Sequence, residues 1–272
     1  FEKTVGNPVM AVQPIYKTEG RILLARALYE TDLFGTVDKV GVIYTADDAG
    51  NSIKAGIDVE ALSLGKTANV VSAVGSGDFS AAVLAMKTAA VDVVIMAMNQ
   101  AYFPTALGAM ATGELDVPVL TSYVSANPYY IANANVGGNR QVYANAWVDV
   151  DFTATTGEYA DYVAAINGLA RLTDTEKATL RFDSFAIAGY IAFKVFEEGL
   201  RRVDDAKLAL TWENYINAME EEVIDFPLGG EVDFTSGKRW GVDTLSLLKY
   251  NKTTSLLEKA KEVESLEQIK GV

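Results

Sequence analysis

The sequence of 272 residues contains neither cysteine nor histidine. Without cysteine there can be no disulfide, no thiolate metal site and no cysteine nucleophile. Without histidine the chain lacks the commonest general base and the commonest metal ligand, so a serine–histidine–acid triad is excluded. The catalytic chemistry that remains is that of carboxylates, lysine or tyrosine, and no paired-acid constellation is evident. We therefore expect a protein that is not an enzyme and that holds no metal or other cofactor.

Positive charge is scarce as well, with 23 Lys and Arg against 36 Asp and Glu and a net charge of −13 at pH 7. Such a charge repels phosphate backbones, so we expect no nucleic-acid partner. No apolar run reaches the ~18–20 residues of a membrane span. The longest candidate, Val91–Ala97, is soon followed by Asn99 and Gln100. Half of the residues are hydrophobic, which is enough for a large core in one or two domains.

Short runs rich in valine and isoleucine recur along the first half of the chain. They begin at residues 39, 68, 91, 117 and 141 and alternate with segments of helical periodicity. Such spacing is typical of strand–helix–strand units, and continuously apolar runs are typical of parallel strands buried on both faces. The first half therefore predicts an α/β fold with an open, doubly wound sheet. The predicted strands are Lys39–Thr45, Ala68–Val74, Val91–Ala97, Val117–Thr121 and Gln141–Val148.

The second half is predicted to be mostly helical. Glu231–Phe234 is the best strand candidate between residues 151 and 240, and Leu245–Tyr250 is predicted to return to the first sheet. Amphipathic helices without a sheet of their own must pack on the first sheet or be covered by a sheet outside this sequence. The predicted helices are Thr18–Leu33, Phe79–Ala90, Thr105–Ala111, Gly157–Ala170, Asp174–Arg202, Trp212–Glu222 and the charged segment Thr254–Ile269.

Five segments, in order, resemble the type I periplasmic substrate-binding proteins of ABC transporters, in the branch of the leucine/isoleucine/valine-binding protein. The likeness spans nearly the whole chain, but nothing matches the N-terminal stretch that supplies most of that family's lobe I sheet. The segments are KVGVIYTADDAGNS, GSGDFSAAVLAMKTAAVDVVIMAMNQAYFPTALGAM, VPVLTSY, DSFAIAGYIAFKVFEEGLRR, and LTWENYINAME followed by GEVDFTSGKRWGVDTLSLLKY.

The resemblance implies one complete Rossmann-like lobe and a partial second lobe. Residues 17–150 and 241–255 would form lobe II, and residues 1–16 and 151–240 the remaining part of lobe I. Residues 256–272 would form a C-terminal helical tail. The missing N-terminal fragment, or a second copy of the chain, is then an expected partner. The chain also opens on Phe1 without a basic, then apolar, leader, so we expect a trimmed product or a fragment whose signal peptide has been removed.

The function that the resemblance implies is that of an extracytoplasmic solute-binding component of an ABC transporter. It would work in the periplasm or at the outer face of the cytoplasmic membrane. A small organic ligand, which could be a carboxylate, an amide, an aromatic or an amino-acid-like molecule, would bind in the cleft between the lobes. The lobes would close by hinge motion, and the closed form would meet the transporter permease. The alternative is a sensory or regulatory ligand-binding domain of the same fold, which a linked transmembrane or output domain would reveal.

The site is expected beyond the carboxyl ends of the parallel strands, where open α/β sheets bind their ligands. This rule selects the loops Ala46–Asn51, Gly75–Asp78, Asn99–Phe103 and Ser122–Asn127, and the resemblance favours the first, third and fourth. The candidate ligand-binding residues are Asn51, Gln100, Ala101, Tyr102, Ser122 and Tyr123, with Asp48 and Asp183 as further candidates.

The resemblance also implies an acid near Tyr123 that holds the amino group of an amino-acid ligand, and Thr121–Ala126 contains none. A buried ammonium without a counter-charge is costly. We therefore hypothesise a ligand other than a plain α-amino acid, namely a carboxylate, an amide or an aromatic-bearing molecule. The adjacent acids Asp47 and Asp48 are expected to favour a helix dipole, and Asp183 to fix a helix start or line the cleft.

Overall fold

The computed structural model describes residues 5–132, 139–148, 150, 152 and 154–272. The chain divides into two compact units. We call them the sheet unit (Tyr16–Ala146 with Thr244–Val272) and the helical unit (Phe1–Ile15 with Trp147–Asp243). The assignment of lobe I and lobe II stays a prediction, and residues 1–4, 133–138, 149, 151 and 153 of those segments lie outside the described residues.

The secondary structure alternates through the first half of the chain and becomes helical in the second. The helices are α1 (Tyr16–Tyr29), α2 (Thr31–Phe34), α3 (Asp48–Ser63), α4 (Ser80–Ala89), α5 (Phe103–Thr112), α6 (Pro128–Ala132), α7 (Glu158–Asn167), α8 (Asp174–Leu180), α9 (Ser184–Asp205), α10 (Trp212–Glu221) and α11 (Leu266–Lys270). The strands are β1 (Val40–Thr45), β2 (Val70–Gly75), β3 (Val93–Ala97), β4 (Val119–Thr121), β5 (Val142–Ala146), β6 (Ile224–Phe226), β7 (Gly230–Val232), β8 (Thr244–Asn251) and β9 (Leu256–Ser265).

The sheet unit is built on a seven-stranded sheet in the order β2-β1-β3-β4-β5-β8-β9. Strands β1 to β5 pair in parallel, and β8 and β9 are antiparallel additions. Helices cover both faces, which is why the parallel strands are apolar throughout. Val40 and Val42 pack with α1 and α3 on one face, and Gly41 meets α4 on the other. The predicted doubly wound α/β sheet is confirmed.

The predicted helical tail is wrong. Residues Leu256–Ser265 form β9, an edge strand in a hairpin with β8, and only Leu266–Lys270 is helical. The apolar residues of this segment recur every three positions, so periodicity alone favoured a helix. In the structure Leu257 pairs with Tyr250 across the hairpin, while Glu258, Lys259 and Glu262 face solvent at the sheet edge.

Two long predicted helices are each divided in two. The segment Thr18–Leu33 becomes α1 and α2, and Asp174–Arg202 becomes α8 and α9. The second division occurs at Asp183, whose carboxylate accepts hydrogen bonds from the first turn of α9. An N-cap of this kind begins a new helix because it satisfies N–H groups that have no intrahelical partner.

Helices α1 and α3 pack unusually closely, through two glycines. A Cβ atom on Gly20 of α1 would lie 2.0 Å from the carbonyl oxygen of Ile53 in α3, and one on Gly56 of α3 would lie 2.1 Å from the carbonyl oxygen of Lys17 in α1. Only glycine permits this backbone-to-backbone approach. The contact fixes α1, and the residues of its first turn, against the sheet.

The C-terminal hairpin is fastened to α1 by Arg26, whose side chain is fully buried. Its Nη1 donates to Glu30 at 2.7 Å and to Glu264 of β9 at 3.2 Å, and its Nη2 donates to the Leu245 carbonyl oxygen at 2.6 Å. Burial lowers the pKa of Arg26, and the two carboxylates act in the opposite direction. These contacts make β8 and β9 an integral part of the sheet unit.

The helical unit leaves a large apolar surface exposed. Helix α9 buries Ile191 and Val195 on one side, yet Phe193 on another side is 60% exposed. Leu210 and Trp212, at 71% and 73%, are more exposed still. The side chains of Phe196, Leu200, Leu210, Thr211, Trp212 and Tyr215 line a cavity of about 320 Å³. We call the surface formed by Phe193, Phe196, Leu210 and Trp212 the apolar face.

Candidate functional site at the carboxyl edge of the sheet

Three neighbouring parallel strands, β1, β3 and β4, end at the same edge of the sheet. Adjacent strands lie about 4.8 Å apart, so the segments that follow them are close neighbours. We call the residues that follow these strands, 46–51, 98–102 and 122–127, the carboxyl edge. All the predicted binding residues except Asp183 belong to it.

The segment after β1 presents an amide and an acid to solvent. Asp47 caps α3, and its Oδ1 accepts the N–H of Gly50 at 2.8 Å. Asp48 and Asn51 lie exposed on the first turn of α3. Asp47 therefore has the structural role expected for it, while Asn51 and Asp48 remain available for contact with a ligand.

The segment after β3 presents an aromatic ring. Tyr102 precedes α5 and is 38% exposed, and its ring lies edge-on to Phe79 with the centroids 6.4 Å apart. Ala101 is exposed beside it. In the described part of the chain, the buried Oε1 of Gln100 has no hydrogen-bond partner. This segment thus combines apolar surface with an unsatisfied acceptor.

The segment after β4 differs from the other two because it is buried. Ser122 and Tyr123 are both buried, and both bind one carboxylate, that of Glu19. The Ser122 hydroxyl donates to Glu19 Oε2 and the Tyr123 N–H donates to Glu19 Oε1, each at 2.7 Å. The Tyr123 ring stacks on that of Tyr16, with the centroids 6.1 Å apart. Helix α1 therefore supplies two residues to the site, Tyr16 and Glu19.

An acid does lie beside Tyr123, contrary to the expectation drawn from Thr121–Ala126. It is Glu19, whose carboxylate comes from a helix more than a hundred residues earlier. A signal was present, since Glu19 precedes the core residues Leu23 and Ala27 by one and two helical turns. A charged residue that lies on the buried face of a helix is expected to have a buried partner.

The charge of Glu19 is sensitive to its surroundings. Burial raises the pKa of Glu19 to about 7, opposed by the hydrogen bonds from Tyr123 and Ser122. The side-chain amide of Asn145 on β5 also opposes the rise, although its geometry falls short of a hydrogen bond. No lysine or arginine within the described ranges pairs with Glu19.

Asp183 lies in the helical unit and acts there as a helix cap. Its Oδ1 accepts the N–H groups of Phe185 at 3.0 Å and Ala186 at 2.9 Å. This is the helix-fixing role that the sequence predicted for it. Its contact with a ligand stays a prediction.

The carboxyl edge has the chemistry of a binding site for a small molecule. It offers a half-exposed ring, amides and buried polar groups on a rigid sheet, a combination typical of ligand pockets. Among the described residues no group of three or more acids is arranged to hold a metal ion. Nor does any helix in the described ranges have the length and apolar character needed to cross a membrane.

A doubly wound sheet with this edge, in a chain that passes three times between two units, defines the class of type I periplasmic binding proteins. A sequence model described as "Periplasmic binding protein" matches residues 21–254, and the chain belongs to this family. The type I proteins of ABC transporters bind substrates rather than transform them. No curated protein sequence matches the chain.

Solved structures share the fold at low sequence identity. The fatty acid ABC transporter substrate-binding protein from Thermomonospora curvata has a TM-score of 0.74 and 19% identity, over 99% of this chain and 68% of that one. A branched-chain amino acid ABC transporter structure from Thermus thermophilus with bound valine has a TM-score of 0.68 and 15% identity, over 94% and 68%. A leucine binding protein from Thermotoga maritima has a TM-score of 0.68 and 11% identity, over 93% and 66%. The chain spans about two thirds of their length.

Proposed function

We propose that this chain is the solute-binding component of an ABC transporter, exported to the periplasm or to the outer face of the cytoplasmic membrane, where it delivers its ligand to the permease. The observation that carries the proposal is the carboxyl edge, where Asn51, Gln100 and Tyr102 follow adjacent parallel strands in a member of the periplasmic binding protein family. Closure of two lobes around the ligand stays a prediction.

The proposed ligand is a small organic carboxylate or amide with an apolar or aromatic body. The ring of Tyr102 suits apolar contact, and the amides of Asn51 and Gln100 suit a polar head. The only acid found beside Tyr123 among the described residues, Glu19, is buried with both oxygens hydrogen-bonded, so it does not face an incoming ammonium. The structural neighbours named for fatty acids and valine bind molecules that share a carboxylate.

A thermal-shift and calorimetric panel of octanoate, benzoate, benzamide and valine tests this proposal. At least one of the first three is expected to bind, and Tyr102→Ala to weaken that binding by about tenfold or more, as loss of a buried aromatic contact should. Tyr29→Ala is the matched control, because Tyr29 is 43% exposed at the end of α1 away from the edge. Binding of none of these, with no small molecule retained in denaturing mass spectrometry, would refute the proposal.

We also propose that the apolar face is covered by further polypeptide, a strand-bearing segment of the kind that the resemblance places before this sequence. Helix α9 exposes Phe193 and Phe196 in addition to the apolar side that it buries. Apolar surface on a second side of a helix indicates a second packing partner. In the described residues the helical unit has only the short strands β6 and β7, while about a third of each neighbouring structure has no counterpart in this chain.

A further inference from the structure

The loop that follows β4 is tied to the rest of the sheet unit at its first two residues. Glu19 receives the hydroxyl of Ser122 on one carboxylate oxygen and the N–H of Tyr123 on the other, both at 2.7 Å. The carboxylate thus grips a side chain and the adjacent backbone at once. Glu19 belongs to α1, which the glycine contact fixes against α3. Its two hydrogen bonds therefore set the direction in which the loop leaves the sheet.

From this geometry we infer that Glu19 is a positioning residue for the ligand-facing loop Ser122–Asn127. That this loop faces a ligand rests on the proposed function, whereas its positioning by Glu19 does not. The ring of Tyr16, from the same helix as Glu19, stacks on the ring of Tyr123. Helix α1 therefore holds both the backbone and the side chain of Tyr123. Shifting the Tyr123 backbone would break the hydrogen bond and the stack together.

The hydrogen bonds of the cluster suit the ionised form of Glu19. An ionised carboxylate only accepts hydrogen bonds, and the Ser122 hydroxyl and the Tyr123 N–H both donate to it. A protonated carboxyl must also donate, so one of these two contacts has to rearrange. The hydrogen-bond pattern at the start of the loop therefore changes when Glu19 takes up a proton.

The two tyrosines that face Glu19 stay neutral near pH 7. On its own helix, Tyr16 faces it, and across the loop Tyr123 does. Burial first, and then the Glu19 carboxylate, raise the pKa of both tyrosines. Asp47, at the start of α3, interacts with Tyr16. Ser122, which follows β4, and Asn145 of β5 carry no charge. Any change in the Tyr16–Tyr123 signal between pH 6 and 8 therefore reports on Glu19.

Hydrogen exchange of the Tyr123 amide tests the inference without any ligand. We expect Glu19→Ala to lower the protection of this amide by about tenfold or more, since its acceptor is lost. Glu19→Gln should restore most of the protection, because its amide oxygen still accepts from Tyr123 and its nitrogen donates to Ser122. The near-ultraviolet circular dichroism of the tyrosine stack should change between pH 6 and 8 in the unaltered protein and stay constant in Glu19→Gln.

Glu60→Ala is the matched control. Glu60 is also a fully buried glutamate, on α3, but it pairs with Arg21 at 2.8 Å and Lys270 at 3.1 Å instead of the loop. It should lower overall stability without a selective loss at Tyr123. Unchanged protection of Tyr123 in Glu19→Ala, or an equal loss in Glu60→Ala, would overturn the inference. If no ligand of the panel binds while Tyr123 behaves as expected, the proposed function fails and the positioning role stands.

Discussion

The buried carboxyl group of Glu19 makes the stability of the sheet unit depend on pH. A carboxyl group whose pKa is raised on folding takes up protons that the unfolded chain does not hold. Its favourable contribution is therefore fully present below its ordinary pKa of 4.5 and is lost as the pH rises through the folded value of about 7. Mild acid should stabilise this unit, whereas carboxylates in ion pairs behave in the opposite way.

Glu19→Gln should remove this pH dependence. Between pH 5 and pH 8 the unaltered protein is expected to lose about 2 to 3 kcal/mol more in its free energy of unfolding than the variant does. Urea denaturation at both pH values, followed by circular dichroism, measures the difference. A variant whose stability falls with pH as steeply as that of the unaltered protein would show that Glu19 is already ionised at pH 5.

At the scale of elements, the crossing of α1 and α3 leaves no room for a side chain at its two glycines. Gly56→Ala should destabilise the protein by about 2 kcal/mol or more, because its Cβ would lie 2.1 Å from a backbone oxygen that cannot move without displacing α1. Thermal unfolding is the measurement.

Gly108→Ala in α5 is the control for that substitution. A Cβ there meets nothing within 4 Å, so the higher helix propensity of alanine should stabilise the protein by about 0.5–1 kcal/mol. If both alanine variants shifted stability in the same direction, the close helix contact would not be the cause.

The strands of the parallel sheet were predictable because burial on both faces favours apolar residues along the whole strand. Each of the five apolar runs overlaps a strand, and β8 lies where Leu245–Tyr250 predicted it. Strand β9 was not predictable from its own residues, since alternating lysines and glutamates suit a helix surface and a sheet edge equally. Its structure depends on pairing with β8, which is information from elsewhere in the chain.

The candidate site was predictable to a similar degree. The rule that ligands bind beyond parallel strands located Asn51, Gln100, Tyr102 and Tyr123 at one edge. It could not reveal that Tyr123 is buried, nor that its carboxylate partner comes from α1. Local spacing predicts which residues follow a strand, whereas the partner of a buried polar group is decided by the packing of distant helices.

For the whole molecule, the apolar face predicts how the chain behaves alone. As a monomer it should bind the dye ANS, and Trp212→Ser should lower the bound fluorescence by about half, since large exposed apolar patches are sites of association. Leu62→Ser is the matched control, because Leu62 is 75% exposed on α3 of the sheet unit, against 73% for Trp212.

Light scattering shows whether a second copy of the chain or a further segment covers the apolar face. A stable dimer that Trp212→Ser dissociates would show that a second copy covers it, contrary to our proposal of a further strand-bearing segment. A monomer that loses its dye binding when such a segment is added would support the proposal.

The arrangement of strands also has a consequence for how this protein is made. Strand β5 ends at Ala146, and its antiparallel neighbour β8 begins at Thr244, roughly a hundred residues later. A ribosome produces the chain from its N-terminus, so the growing polypeptide carries an open β5 edge for several seconds before its mate exists. Completion of the sheet therefore waits until nearly the whole chain has been made.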